Sequence, residues 1–131
     1  MAAKLIHSMI RVADLERSKA FYARGFGLAE SHRMDFPTFT LVYLRDPESG
    51  HELELTLNKG QSEPYTHGSG YGHIAFAVED LAQHHELLKS LGYTVGDIKE
   101  LKAPSGQARF FFTTDPDGYK VEVLERRGHY V

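Results

Sequence analysis

The chain has 131 residues, 41% hydrophobic and 25% charged, enough for one folded domain with its own core. Its net charge of −3 offers no overall positive field for nucleic acid or an anionic membrane. It has no cysteine, which excludes disulfides, thiolate nucleophiles and zinc–thiolate sites and fits a reducing compartment.

The N-terminal stretch "MAAKLIHSMIRVADL" has no long apolar core, so neither a signal peptide nor a membrane span is expected, and a cytoplasmic location is. Alternating apolar residues predict a first strand near 4–13. Asp14 then stands in N-cap position for a helix near 14–26, and Gly27 follows where a left-handed C-cap residue belongs. Strands are expected near 28–34, 38–46 and 51–58, the last after the turn "DPESG". A Gly-Ser-Gly-Tyr-Gly lead, read as a close-packed approach, precedes a strand near 72–79. Asp80 and Gln83 form a capping-box pattern for a helix near 80–91, which Gly92 ends. Strands near 93–97, 108–114 and 119–126 complete the chain, the last after the turn "DPDG".

The two halves repeat each other. "HSMIRVADL" (7–15) aligns without a gap on "HIAFAVEDL" (73–81), and "DPESGHELEL" (46–55) resembles "DPDGYKVEV" (115–123). Each half reads as strand, helix and about three strands, with repeats near 1–60 and 70–131 building a single α+β domain.

Strand alternation places four chemically active residues at matched positions. His7, Met9 and Arg11 share the face opposite Ile10 and Val12, and His73 lies opposite Ile74, Phe76 and Val78. Glu54, with Glu52, Thr56 and Asn58, faces away from Leu53, Leu55 and Leu57, and Glu122 faces away from Val121 and Val123. Taken singly, His7 and His73 read as surface or strand-end histidines, and Glu54 and Glu122 as solvated strand residues. Taken together, His7, Glu54, His73 and Glu122 form a His₂Glu₂ donor set suited to a divalent transition metal such as nickel, cobalt, zinc, manganese or iron. Closure of that set within one chain or between two chains is equally compatible with the sequence. His32, His51, His67, His84, His85 and His129 have no repeat partner that completes a site and read as surface residues, His67 being a candidate exception at a loop mouth. Phe36, Phe39 and Phe111 read as core aromatics.

The motifs "HSMIRVADLERSKAFY", "LELTLN", "GYGHIAFAVEDL" and "DPDGYKVEVLE" resemble those of the vicinal oxygen chelate superfamily, and within it the glyoxalase I (lactoylglutathione lyase) group. The resemblance implies two tandem βαβββ modules forming a curved eight-stranded cup, the glyoxalase/bleomycin resistance/dioxygenase fold. It implies a homodimer in which His7 and Glu54 of one chain meet His73 and Glu122 of the other. The compact length looks like the bacterial form, for which nickel or cobalt is the expected metal, with zinc also compatible. The implied reaction converts the hemithioacetal of methylglyoxal and glutathione to S-lactoylglutathione through an enediolate. Glu122 is then the base and Glu54 the ligand opposite it, able to serve the other stereochemical face.

Arg11 and Asn58 each lie four residues, about 13 Å, from a ligand on the same strand face. That reach suits the polar groups of a tripeptide, and the family uses matching positions for glutathione. Lys102 is a further candidate for the glycyl carboxylate. Lys59 stands where many family members have tryptophan, and "ELKAPSGQARF" departs from the usual glycine-rich loop. The alternatives are another metal-dependent enzyme of the superfamily (an epimerase, a thiol transferase or a dioxygenase) and a non-catalytic small-molecule-binding module.

Overall fold

A computed structural model describes all 131 residues. The chain divides into two compact units, 1–66 and 67–131. The first contains β1 (His7–Arg11), α1 (Leu15–Phe26), β2 (Ala29–Asp35), β3 (Phe39–Arg45) and β4 (Glu52–Asn58). The second contains β5 (Ile74–Val78), α2 (Leu81–Ser90), β6 (Lys99–Ala103), β7 (Gly106–Thr114) and β8 (Lys120–Glu125). Each unit is thus one βαβββ module with a four-stranded sheet, ordered β1-β4-β3-β2 in the first and β5-β8-β7-β6 in the second. The opening strand of each unit pairs in parallel with the closing strand, and the other pairings are antiparallel.

Local chemistry accounts for the helices. Asp14 accepts from the Arg17 backbone N–H at 3.0 Å, and Asp80 from that of Gln83 at 2.9 Å, which satisfies donors at each helix start. Gly27, at φ 74°, ends α1 and returns its N–H to Ala23 O. Gly92, at φ 88°, follows the Leu91 cap, and Tyr93 N–H then reaches Leu88 O at 3.0 Å, closing α2 in the same way.

Helix α1 lies against β2 and β3 and buries Phe21 and Tyr22 completely, with Ile10, Val12, Val42, Leu44 and Leu55 as the sheet's contribution to the core. In the second unit Leu81 and Leu88 of α2 are buried, as are Phe111, Val121 and Val123 of the sheet. Burial of each such side chain contributes about 1.5–3 kcal/mol, so the alternation along β4 and β8 is strongly held in register. The two Asp-Pro turns sharpen that register. Asp46 accepts from Glu48 N–H at 2.9 Å, and buried Asp115 accepts from both Asp117 and Tyr119 N–H at 2.9 Å.

Three expectations are corrected. Segment 93–97 forms only an isolated bridge, Val95 to Thr113, and the strand is Lys99–Ala103 within the segment read as a loop. The cause is that β6 is an exposed edge strand with no buried face, so it shows no apolar alternation. Its hairpin turns at Pro104-Ser105 and lengthens β7 back to Gly106. Phe36 and Phe39 are not core residues. They stack on each other 4.7 Å apart at the β2–β3 turn, Phe36 being 37% exposed, whereas Phe111 is fully buried. The Gly-rich lead is not close-packed either: a Cβ at Gly68, Gly70 or Gly72 would meet nothing within 4 Å, and only Gly68 has positive φ.

Candidate metal centre

The parallel pairing of β1 with β4 sets Met9 opposite Glu54 and His7 opposite Glu52. His7 and Glu54 are therefore diagonal neighbours on one sheet face, and His7 Nε2 lies 3.2 Å from Glu54 Oε1. In the second unit Ala75 is opposite Glu122. His73 stands two residues before Ala75, just ahead of β5, and its Nε2 lies 3.3 Å from Glu122 Oε1. The two units present the same His–Glu pair with nearly the same separation.

The match extends to the third strand. Tyr43 is opposite Glu54 and meets the His7 ring edge-on at 5.5 Å, while Phe112 is opposite Glu122 and meets the His73 ring edge-on at 5.4 Å. Burial first, then a hydrogen bond to Glu54 and that carboxylate's charge, push the Tyr43 hydroxyl above its ordinary pKa. Thr56 Oγ1 donates to Glu54 Oε2 at 3.0 Å, leaving Oε1 toward His7. Sequence reasoning places Thr56 on the ligand face without a role and misses Tyr43 and Phe112. A signal was present: each aromatic stands three residues before an Asp-Pro, in "YLRDP" and "FTTDP".

The donor chemistry fits a divalent metal. Imidazole nitrogen and carboxylate oxygen are paired on one face in each unit, with no lysine or arginine bridged to either carboxylate. Two donors about 2.1 Å from one ion and at right angles to each other are about 3 Å apart, close to both observed separations. Neither unit by itself gathers three or more His, Asp or Glu side chains into a group that could hold a metal ion.

The residues expected to contact substrate are dispersed. Arg11 is exposed and pairs in register with Thr56, on the same strand face as His7. Asn58 ends β4 with its Nδ2 donating to Tyr65 Oη at 3.3 Å. Lys102 lies on the β6 edge, 3.5 Å from Glu100, and lines an open groove of about 750 Å³ with Gln107, Arg127, His129 and Tyr130. A smaller depression of about 360 Å³ surrounds His7, with Ile6, Ser31, His32, Tyr43 and Glu52 on its walls. Lys59 binds Asp35 Oδ1 and Phe36 O, each at 2.7 Å, fastening the β2–β3 turn to the end of β4.

Of the other histidines, His85 departs from the surface reading, and His67 is the exception already set apart from it. His85 is half-buried, holds Gly96 O at 2.9 Å and packs edge-on against Phe111. His67 stacks on Tyr119 at 4.1 Å, with its Nε2 buried and unpartnered.

Residues 4–123 match the family model of the Glyoxalase/Bleomycin resistance protein/Dioxygenase superfamily. The chain belongs to this superfamily. Within it, the chain is 37% identical over 130 residues to the lactoylglutathione lyase of Haemophilus influenzae, covering 95% of this chain and 93% of that one. The lactoylglutathione lyase of Neisseria meningitidis is 36% identical over 130 residues, covering 95% and 91%. Among solved structures, the trypanothione-dependent glyoxalase I of Leishmania major matches with a TM-score of 0.78 at 37% identity, over 95% of this chain and 87% of that one. Glyoxalase I from Zea mays matches with a TM-score of 0.81 at 32% identity, over 95% of this chain and 45% of that longer one. The two four-stranded sheets and two helices of this chain are an α+β architecture that matches the fold of this superfamily. No helix of the chain is long and apolar enough to cross a membrane.

Proposed function

We propose that this chain is a metal-dependent lactoylglutathione lyase, isomerising the hemithioacetal of methylglyoxal and glutathione to S-lactoylglutathione. The observation that carries the reading is the repeated His–Glu pair: 3.2 Å between His7 and Glu54, 3.3 Å between His73 and Glu122, at equivalent sheet positions. The names of the H. influenzae and N. meningitidis relatives support it over nearly the full chain.

His7, Glu54, His73 and Glu122 would hold the ion. Nickel or cobalt suits this nitrogen–oxygen set, and zinc is chemically compatible. When bound, the metal supplies Lewis acidity, stabilising negative charge on the substrate's adjacent oxygens. The reaction itself moves one proton between neighbouring carbons and another between the oxygens those carbons bear. Glu122 removes it from the first carbon and returns it to the second, the task of a single positioned general base. Glu54 would remain a ligand of the ion. Arg11 grips a carboxylate of the thiol's peptide through its guanidinium fork, with Asn58 and Lys102 as further contacts.

A two-residue half-site needs a complement. The complete unit is a homodimer in which His7 and Glu54 of one chain meet His73 and Glu122 of the other. Mixing two inactive variants tests dimer and ligands together. His7→Ala/Glu54→Ala combined with His73→Ala/Glu122→Ala yields a heterodimer with one intact and one empty site. Unfolding and refolding the mixture with nickel should recover about a quarter of wild-type thioester formation if chains pair at random. No recovery from folded, dimeric mixtures contradicts the shared site.

A further inference from the structure

The internal repeat is broken at the two positions around each carboxylate. Glu54 has Tyr43 across the strand pair and Thr56 two residues along β4. Glu122 has Phe112 across the pair and Leu124 two residues along β8. The first unit sets two hydroxyl-bearing residues around Glu54: Thr56 Oγ1 donates to Oε2 at 3.0 Å, and Tyr43 stands opposite Glu54 in the strand pair, its hydroxyl pushed above its ordinary pKa by burial first and then by that carboxylate. Neither matched residue of the second unit has a hydroxyl. Within that unit Glu122 has one polar partner, His73 at 3.3 Å. Burial runs the same way, with the Glu54 side chain 11% exposed and that of Glu122 17%.

We propose that Tyr43 and Thr56 are positioning residues that lock Glu54 in one orientation as the fixed ligand, while Phe112 and Leu124 leave Glu122 free to swing between holding the ion and carrying the proton. The physical basis is rotamer freedom. A carboxylate tied at one oxygen presents the other, whereas an untied one turns about its last torsions at little cost. Two chemically identical side chains thereby take different tasks because of four neighbours. Tyr43 and Thr56 act through Glu54. The inference rests on the proposed lyase reading, but its first test does not need turnover.

That test is nickel affinity, measured by competition with a chromophoric chelator on the full-length protein. Tyr43→Phe/Thr56→Val, which makes the first unit resemble the second, should weaken nickel binding about tenfold or more, in the range found when supporting hydrogen bonds to metal ligands are removed. Thr56→Ser keeps the hydroxyl and should bind nickel as the wild type does. The reciprocal variant Phe112→Tyr gives Glu122 a donor. It should retain nickel affinity while lowering kcat severalfold at unchanged KM, a split that general loss of packing does not produce. Wild-type nickel affinity in a folded Tyr43→Phe/Thr56→Val protein overturns the proposal, as does an undiminished kcat in Phe112→Tyr. Should the double variant fail to fold, Thr56→Val against Thr56→Ser decides the first arm. If the wild-type protein binds nickel yet does not turn over methylglyoxal with glutathione, the lyase reading fails while the affinity arm still decides the positioning roles.

Discussion

Glu122→Gln removes the proton-accepting charge while keeping the side chain's length and shape. The residue lies mid-strand in β8, opposite Ala75 and Phe112, with its side chain 17% exposed and His73 Nε2 at 3.3 Å. A glutamine fits this space and retains an oxygen toward His73, so the sheet and the neighbouring buried Val121 and Val123 have no reason to rearrange. The loss should fall on chemistry. A positioned general base contributes about 10²–10⁴-fold, equivalent to about 3–5 kcal/mol of barrier. At saturating nickel, thioester absorbance should therefore rise at least about a hundredfold more slowly than in the wild type. KM should change little, because the proposed thiol contacts Arg11, Asn58 and Lys102 are left intact. The same saturating nickel separates this effect from weakened metal binding. A kcat close to wild type, in a protein with normal melting and bound nickel, would refute the role of Glu122 as base.

Arg11→Ala should raise KM for the hemithioacetal with little change in kcat, because it removes binding energy common to substrate and transition state; an unchanged KM removes Arg11 from the thiol site. Acid should loosen the join between α1 and β2. Glu30 bonds Arg33 at 2.9 Å and Lys19 at 2.9 Å, and these partners, Arg33 foremost, lower its pKa from 4.5 to about 2. A carboxyl with a depressed folded-state pKa stabilises the fold above 4.5 and loses that contribution as pH falls from 4.5 toward 2. Because the pair is substantially exposed, the loss is about 1 kcal/mol at most. Urea titrations at pH 7 and pH 3 should show Glu30→Gln destabilised relative to wild type more at pH 7 than at pH 3; equal differences at both would show that Glu30 does not act through its charge.

The legible parts of the molecule were those with a repeating physical signal. Ile10 and Val12, or Leu53 and Leu55, alternate against polar neighbours because one sheet face is buried, so the directions of His7 and Glu54 follow. Asp14, Asp80 and Gly27 announce helix ends because their backbone roles are local. The β6 edge carries no such signal: Lys99, Glu100 and Lys102 are exposed on both faces, and pairing with β7 alone makes them a strand. Phe36 and Phe39 misled for a related reason, since aromatic character predicts burial but a hairpin turn can leave two rings stacked on each other at its tip. The pairing of each glutamate with an aromatic on the third strand depends on hairpin register, to which the spacing before Asp-Pro gave a clue but no distance.

The proposed lyase rests on two repeated His–Glu pairs. Its most direct test is to strip the purified full-length protein of metal with a chelator, titrate back nickel, and follow thioester formation from methylglyoxal and glutathione at each addition. Activity should be absent from the stripped protein and rise in proportion to bound nickel until the sites are filled. Thioester formation at the same rate before and after nickel, or none from the nickel-loaded protein, would contradict the account.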